Sequence, residues 1–400
     1  VEIMNLPRWF PFHISKVSYW SRTVLVPLVV LMTLKPQARN PKRIHIPELF
    51  RTPPDQIKNW FMEPVRSQWG HMFRVIDKVL RRVEPLFPEK PRKRAIERAV
   101  AFTSERLNGE DGLGAIFPAM ANSVMMFDCL GYPVDHPERL IAMDALKKLL
   151  VIEEDRAYCQ PCLSPVWDTA LVAHAMAEVG SPLTEEAAKA GADWLVERQI
   201  LDVKGDWADV KPDVRPGGWA FQYANDHYPD LDDTAVVVMA LDRLDRDKYK
   251  HAIERGAEWV LGLQSKNGGW GAFDADNTHD YLNHIPFADH GALLDPPSAD
   301  VTARCLGMLA QLGYDKSHPA VAAGLQYLRR EQEPEGCWFG RWGTNYIYGT
   351  WSVLSSYNAL GVDPKSEEVR RAVNWLIERQ RADGGWGEDG ESYWDDKPKG

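Results

Sequence analysis

Asp230-Leu231-Asp232-Asp233-Thr234 crowds three carboxylates into the opening of one apolar segment. Capping accounts for part of this. An Asp before a helix accepts the first free amides, and a carboxylate three residues on sits favourably on the helix dipole. A cap has no use for a third carboxylate. Like charges this close raise one another's proton affinity, so that one stays protonated, provided that burial and repulsion outweigh the helix dipole. A buried neutral carboxylic acid suits general-acid work on an apolar substrate. On a later segment Asp300 and Arg304 stand four residues apart. Their spacing allows a structural ion pair, or a supporting role that orients the acid's hydrogen bond.

Aromatic residues gather in the loops before such segments: Trp167, Trp219, Phe221, Tyr223, Tyr228, Phe273, Phe287, Trp342, Tyr346 and Tyr348. Taken singly each reads as packing. Their concentration beside a candidate acid suits carbocation chemistry, because π-faces stabilise cations once water is excluded. No phosphate-cradling loop, Ser/His/Asp set or His-rich metal motif is present. Cys159-Gln-Pro-Cys162 lacks a second pair to complete a zinc site, and the five scattered cysteines read as reduced thiols. The net charge of −10 argues against nucleic acid as a partner. The apolar run from Val24 to Leu34, broken by Pro27, is too short to span a bilayer and reads as a buried helix.

A repeat positions these residues. Asp233-Thr-Ala-Val-Val-Val-Met-Ala-Leu has counterparts that begin near Thr169, Thr302 and Thr350, and each Thr opens an apolar stretch of helical length. A second segment ends in Gln199, Gln264, Gln332 and Gln380, 30 residues after its Thr in every copy. Gly-x-Trp turns follow at Gly268-Gly-Trp270, Gly336-Cys-Trp338 and Gly384-Gly-Trp386, and a stretched copy reaches Gly217-Gly-Trp219. Each unit therefore reads as an inner apolar helix, an outer helix with a polar face and a turn. Such pairs stack as a solenoid or close into an α/α barrel, and periodicity does not choose between them. A worn copy lies upstream, with Arg94 to Arg106 as outer helix, Leu107 where Gln is expected, and Asn122-Ser-Val-Met-Met-Phe as inner helix. The residues two before each Thr are Trp167, Asp232, Asp300 and Tyr348. In a closed barrel they ring one mouth of a cavity.

These segments, with Ser164-Pro-Val-Trp167-Asp-Thr, Asn267-Gly-Gly-Trp-Gly-Ala, Asn283-His-Ile-Pro-Phe287 and Phe339-Gly-Arg-Trp342-Gly, resemble the squalene–hopene cyclase family over essentially the whole chain. The resemblance implies an all-α enzyme, an isomerase, built from two α/α toroid barrels. Residues 1–154 would be part of the second, inserted barrel, with an entrance and a membrane-facing segment. Residues 155–400 would be part of the catalytic barrel, and both barrels are expected to be incomplete here, which leaves open whether the chain is active alone. It implies that Asp232 protonates a terminal double bond of squalene, giving hopene or hopanol, with Asp230 and Asp233 in support. Trp20, Trp167, Phe221, Phe273, Phe287 and Trp342 would line the path of the cation, and Asp300, Arg304 and Tyr348 would surround the acid. Ile116 and Pro118 would lie at the substrate entrance. No metal or other cofactor is implied.

Two positions depart from the pattern. Arg304 stands where some members carry a His; a permanent cation could keep the neighbours of Asp232 ionised but cannot shuttle a proton. Phe273 stands in place of a Tyr and removes a hydroxyl from the wall. The stretch from Trp69 to Phe87 is amphipathic, with Met72, Phe73, Ile76, Val79, Leu80 and Val83 on one side and Lys and Arg continuing through Arg98. It fits a helix lying on a membrane surface or an ordinary surface helix, and the lipid substrate favours the membrane. The expected location is the cytoplasmic side of the cell membrane, attached from one face, and a homodimer stays open. The competing readings are a class II cyclase for oxidosqualene or a diterpene precursor, and a binding toroid or zinc prenyltransferase-like barrel.

Overall fold

The computed structural model describes residues 1–37, 40–58, 68–285, 293–394 and 397–400. Nearly all regular structure is helical. Helices α1 (Tyr19–Leu34), α2 (Gln68–Val83), α3 (Glu89–Arg106), α4 (Phe117–Cys129) and α5 (Pro137–Lys148) precede the repeats. The repeats follow as α6 (Pro165–Val179) with α7 (Pro182–Val196), and α8 (Leu231–Asp245) with α9 (Lys250–Gly262). Next come α10 (Ala299–Gln311) with α11 (Pro319–Glu331), and α12 (Tyr346–Ala359) with α13 (Glu367–Glu378). Short antiparallel ladders join loops, as at Trp219–Ala220 with Pro229–Asp230.

Local chemistry sets the helix ends. Ser181 and Thr184 form a capping box at the start of α7, and Gly180 ends α6 in the left-handed region at φ 63°. Inner helices α6, α8, α10 and α12 pack side by side in chain order, each with its outer partner. The core between them holds Val237, Leu241, Leu306, Leu309, Trp259 and Trp270, all fully buried.

The repeated Thr, Gln and Trp are the fasteners of this row. The Thr234 hydroxyl accepts from the Trp219 amide at 2.9 Å, Thr302 from Trp270 at 2.9 Å and Thr350 from Trp338 at 3.0 Å. Each indole N–H donates to a carbonyl near the end of the preceding outer helix: Trp219 to Leu195, Trp270 to Val260, Trp338 to Leu328 and Trp386 to Leu376. The Gln199, Gln264 and Gln332 amides each bridge their own turn to the next outer helix, as when Gln264 donates to the carbonyls of Gly268 and Ala320 at 2.8 and 2.9 Å, and Gln380 donates to its own turn at Gly384. These bonds tie the Gly-x-Trp turns to their neighbouring helices.

One expectation needs correcting. α8 and α10 are buried as expected, but α6 exposes Leu171, Val172 and Val179, and α12 exposes Trp351. These helices flank the row, and their main neighbours cover one side only.

Upstream, α1 packs on α3 and α4, and α4 on α5, around Val26, Val30, Ala99, Met126 and Phe127. α1 contains the apolar run through Pro27. No helix of the described residues is long and apolar enough to cross a membrane. The Asp111 carboxylate, in the turn between Leu107–Asn108 and Gly112–Leu113, accepts from the Ala224 amide at 2.6 Å and is 3% exposed. Burial pushes it up to about 6, against the pull of that amide. The folded state then holds this proton more tightly than the unfolded chain. Its contribution to stability therefore falls as pH rises from about 4 to about 6, by up to about 3 kcal/mol, and is level above that. Asp111→Asn is expected to lose this segment of the melting temperature–pH curve, read as the difference from wild type.

Candidate active site

The acid motif is a helix start clamped from three sides. The Asp230 side chain accepts the amides of Asp232 and Asp233 at 2.6 and 3.1 Å. Its carbonyl accepts from the Thr234 hydroxyl at 2.6 Å, and the Leu231 amide donates to the Ala272 carbonyl at 2.7 Å. The last bond ties the acid turn to the residue before Phe273.

The three carboxylates divide in environment. Asp230 and Asp233 are 7% and 2% exposed. Burial, then repulsion within the cluster, holds both well above the usual carboxylate range. Asp233 Oδ1 has no hydrogen-bond partner among the described residues. The Asp232 side chain is the most open of the three at 13%. Burial raises it, Arg304 opposes the rise, and Asp300 adds to it.

Arg304 links the starts of neighbouring inner helices. Its Nε donates to Asp232 Oδ1 at 3.0 Å and its Nη2 to the Tyr348 hydroxyl at 3.3 Å. The guanidinium lies 5.7 Å from the ring centroids of both Trp167 and Trp351. Tyr348 is pushed up to about 12, chiefly by burial, then by the Asp232 charge. Three of the four equivalent positions, Trp167, Asp232 and Tyr348, therefore converge on one guanidinium.

Asp300 does not pair with Arg304. It accepts from the Ser298 hydroxyl at 2.5 Å and from the Trp342 amide at 2.7 Å, so it fixes the Trp342 backbone instead. The notion that Arg304 keeps the neighbours of Asp232 ionised is also corrected. It contacts Asp232 itself, while Asp230 and Asp233 are driven towards the neutral form.

The aromatic wall has two parts. Trp20 stacks on Phe273 at 6.2 Å and 17°, and Trp342 meets Phe273 edge-on at 5.9 Å. With Phe339 and Tyr393 they line a cavity of about 250 Å³. Trp167 faces Phe221 at 6.5 Å. Trp219 and Tyr228 belong to the packed interior. Phe287 lies outside the described residues. Ile116 is buried before α4 and bridges to Cys162, whereas Pro118 is exposed beside Phe117. Cys159 is exposed and Cys162 half-buried, both as free thiols.

Two residues had no signal in the periodicity. The Asp295 carboxylate accepts three consecutive amides, of Ala272, Phe273 and Asp274, at 3.2, 2.7 and 2.9 Å. It sits in the irregular run Leu294-Asp295-Pro-Pro, where no pattern marks it. Trp351 lies within an apolar helical stretch that gives it no special mark, and its ring centroid stands 5.7 Å from the Arg304 guanidinium.

Fold and site together define a row of helix pairs that sets a carboxylic-acid cluster against an aromatic wall. The chain belongs to the squalene–hopene cyclase family. The pattern of the squalene–hopene cyclase C-terminal domain matches residues 163–400, and that of the N-terminal domain matches residues 1–155. The chain is 58% identical to the squalene–hopene cyclase of Bradyrhizobium diazoefficiens over 98% of its own length and 60% of that relative. It is 59% identical to a probable squalene–hopene cyclase of Sinorhizobium fredii, over 98% of this chain and 62% of the relative. Identity to the squalene–hopene cyclase of Alicyclobacillus acidocaldarius is 39%, over 97% of this chain and 70% of that one. The chain thus spans about 60% of the length of the first of these relatives.

Proposed function

We propose that the protein containing this chain cyclises squalene, an activity of the hopanoid route, and that Asp232 supplies the starting proton. The observation that carries the reading is the division of the carboxylates: Asp232, the most open of the three, is held by Arg304, whose guanidinium lies 5.7 Å from the Trp167 ring. The proton adds to the hydrogen-bearing carbon of the terminal trisubstituted double bond and leaves a tertiary cation on the dimethyl-bearing carbon. Successive double bonds then attack, each forming a carbon–carbon bond and passing the charge on. The final cation loses a proton to give hopene or takes up water to give hopanol. Transfer leaves an Asp232 carboxylate, and the contact with Arg304 stabilises that product of the first step. Water must return the proton before the next turnover.

The experiment is incubation of the protein containing this chain with squalene in detergent micelles, with products read by mass spectrometry. Pentacyclic product supports the reading; turnover of oxidosqualene or a prenyl diphosphate alone would overturn it. Arg304→Gln checks the acid. Loss of the cation raises the proton affinity of Asp232 and makes it a weaker acid. The maximal rate is expected to fall about tenfold or more while the alkaline limb of the pH–rate profile moves to higher pH. A limb that stays in place would show that Arg304 does not tune Asp232.

In this reading residues 1–154 belong to the inserted barrel and residues 155–400 to the catalytic one, with the substrate entering past Ile116 and Pro118. α2 supports attachment to the cytoplasmic membrane face. It exposes Trp69, Met72, Val75, Ile76, Val79 and Leu80 next to Lys78, Arg81 and Arg82. Val79→Glu with Leu80→Glu is expected to reduce flotation with anionic vesicles about tenfold or more, because two exposed apolar groups that enter the bilayer in this reading become charges. Unchanged flotation would remove the membrane from the proposal.

A further inference from the structure

A buried chain of charges joins the N-terminal helices to the repeat region. Arg106 of α3 donates to Asp206 Oδ1 at 2.5 Å, and Arg22 of α1 donates to Asp206 Oδ2 at 2.9 Å. The other Nη of Arg22 reaches Asp274 Oδ1 at 3.5 Å. The four side chains are only 6% to 11% exposed, and their charges balance. Taking such a network out of water is costly, and apolar groups of the same volume often stabilise a fold as well or better. What charges add is direction: a guanidinium fork holds its carboxylates at fixed spacing and angle.

That direction is spent on the start of α1. Asp274 Oδ2 accepts the Tyr19 amide at 3.2 Å, and the Ser18 amide donates to the Leu293 carbonyl at 2.7 Å. Between Tyr19 and Arg22 on this first turn lies Trp20, which stacks on Phe273. Phe273 is the chain neighbour of Asp274, and Asp295 pins the amides of both. The two rings of the stack come from segments more than 250 residues apart, and the Tyr19–Asp274 and Arg22–Asp274 contacts join those segments.

We propose that Arg22 is a positioning residue for the aromatic wall. Through Asp206 and Asp274 it sets the Trp20–Phe273 stack, and so determines how completely the ring-forming sequence runs. This rests on the cyclisation reading above. Stabilisation of a cation by a π-face fades beyond about 6 Å, so a small shift of Trp20 lets intermediate cations lose a proton early. Arg22 itself need not touch the substrate.

The test uses protein labelled with 5-fluorotryptophan, in which the fluorine resonance missing from Trp20→Phe identifies Trp20. Arg22→Gln is expected to move that resonance beyond its line width and to leave distant ones, such as Trp375, in place; Arg22→Lys is expected to restore most of it. With squalene, Arg22→Gln is expected to raise the ratio of partially cyclised to pentacyclic products severalfold, with the lysine variant again recovering. An unmoved Trp20 resonance in a folded Arg22→Gln protein would overturn the proposal. So would an unchanged product ratio beside a lower melting temperature, the signature of a purely structural role. If the wild type leaves squalene untouched, the cyclisation reading fails, and the fluorine spectrum still decides whether Arg22 places Trp20. Asp274→Asn, which keeps an acceptor for the Tyr19 amide, serves if Arg22→Gln does not fold, with the same expected shift.

Discussion

Asp232→Asn is expected to cut cyclisation by about 10³-fold or more, since a positioned acid contributes on the order of 10²–10⁴ and an alkene offers no other handle for starting the reaction. The amide keeps the volume of the carboxyl and one acceptor for Arg304 but has no proton to give. Stability is expected to change by no more than about 2 kcal/mol, because the guanidinium keeps Tyr348 and two indole faces as partners. Asp230→Asn is the companion. Asn caps a helix as well as Asp does, so the turn survives, and activity is expected to fall less than in Asp232→Asn. Product yield and melting temperature, measured on the same preparations, separate the two. Comparable loss in both variants would move the donor away from Asp232.

Trp270→Ala is expected to destabilise the repeats by about 3–5 kcal/mol. The indole is fully buried and its N–H donates to the Val260 carbonyl at 2.8 Å. Removing it leaves a large cavity and a buried carbonyl without that donor. Packing around it is close: a Cβ on Gly324 would stand 3.0 Å from the Trp270 ring. Trp386→Ala is the control. It loses the same kind of indole bond, to Leu376 at 2.7 Å, but its residue is 45% exposed. Its cost is expected to be about 1 kcal/mol. Urea midpoints at constant slope make the comparison. Equal losses would mean that the indole hydrogen bond, rather than burial, holds the repeat together.

The sequence by itself determined the local parts of this protein. The fixed interval from Thr to Gln, the apolar inner segments and the Gly-x-Trp turns are enough to specify helix pairs, because helix period and end chemistry act over a few residues. The acid motif was legible for the same reason: Asp230 caps its own helix, and the excess carboxylate is visible without a partner. The equivalence of Trp167, Asp232 and Tyr348 also followed from register alone. Tertiary structure decided which groups meet. Asp300 and Arg304 are one turn apart, yet Arg304 reaches across to Asp232 and Asp300 turns to the Trp342 amide. A pair four residues apart on one helix contributes only roughly a few tenths of a kcal/mol, and the better partners lie on neighbouring elements that no interval in the chain reveals. The same holds for Asp295 beneath Phe273 and for Arg22 beside Trp20, which are joined to their partners only when distant segments pack. For the acid motif the outcome is specific: sequence places three carboxylates at one helix start, and packing buries two of them and gives the third to Arg304.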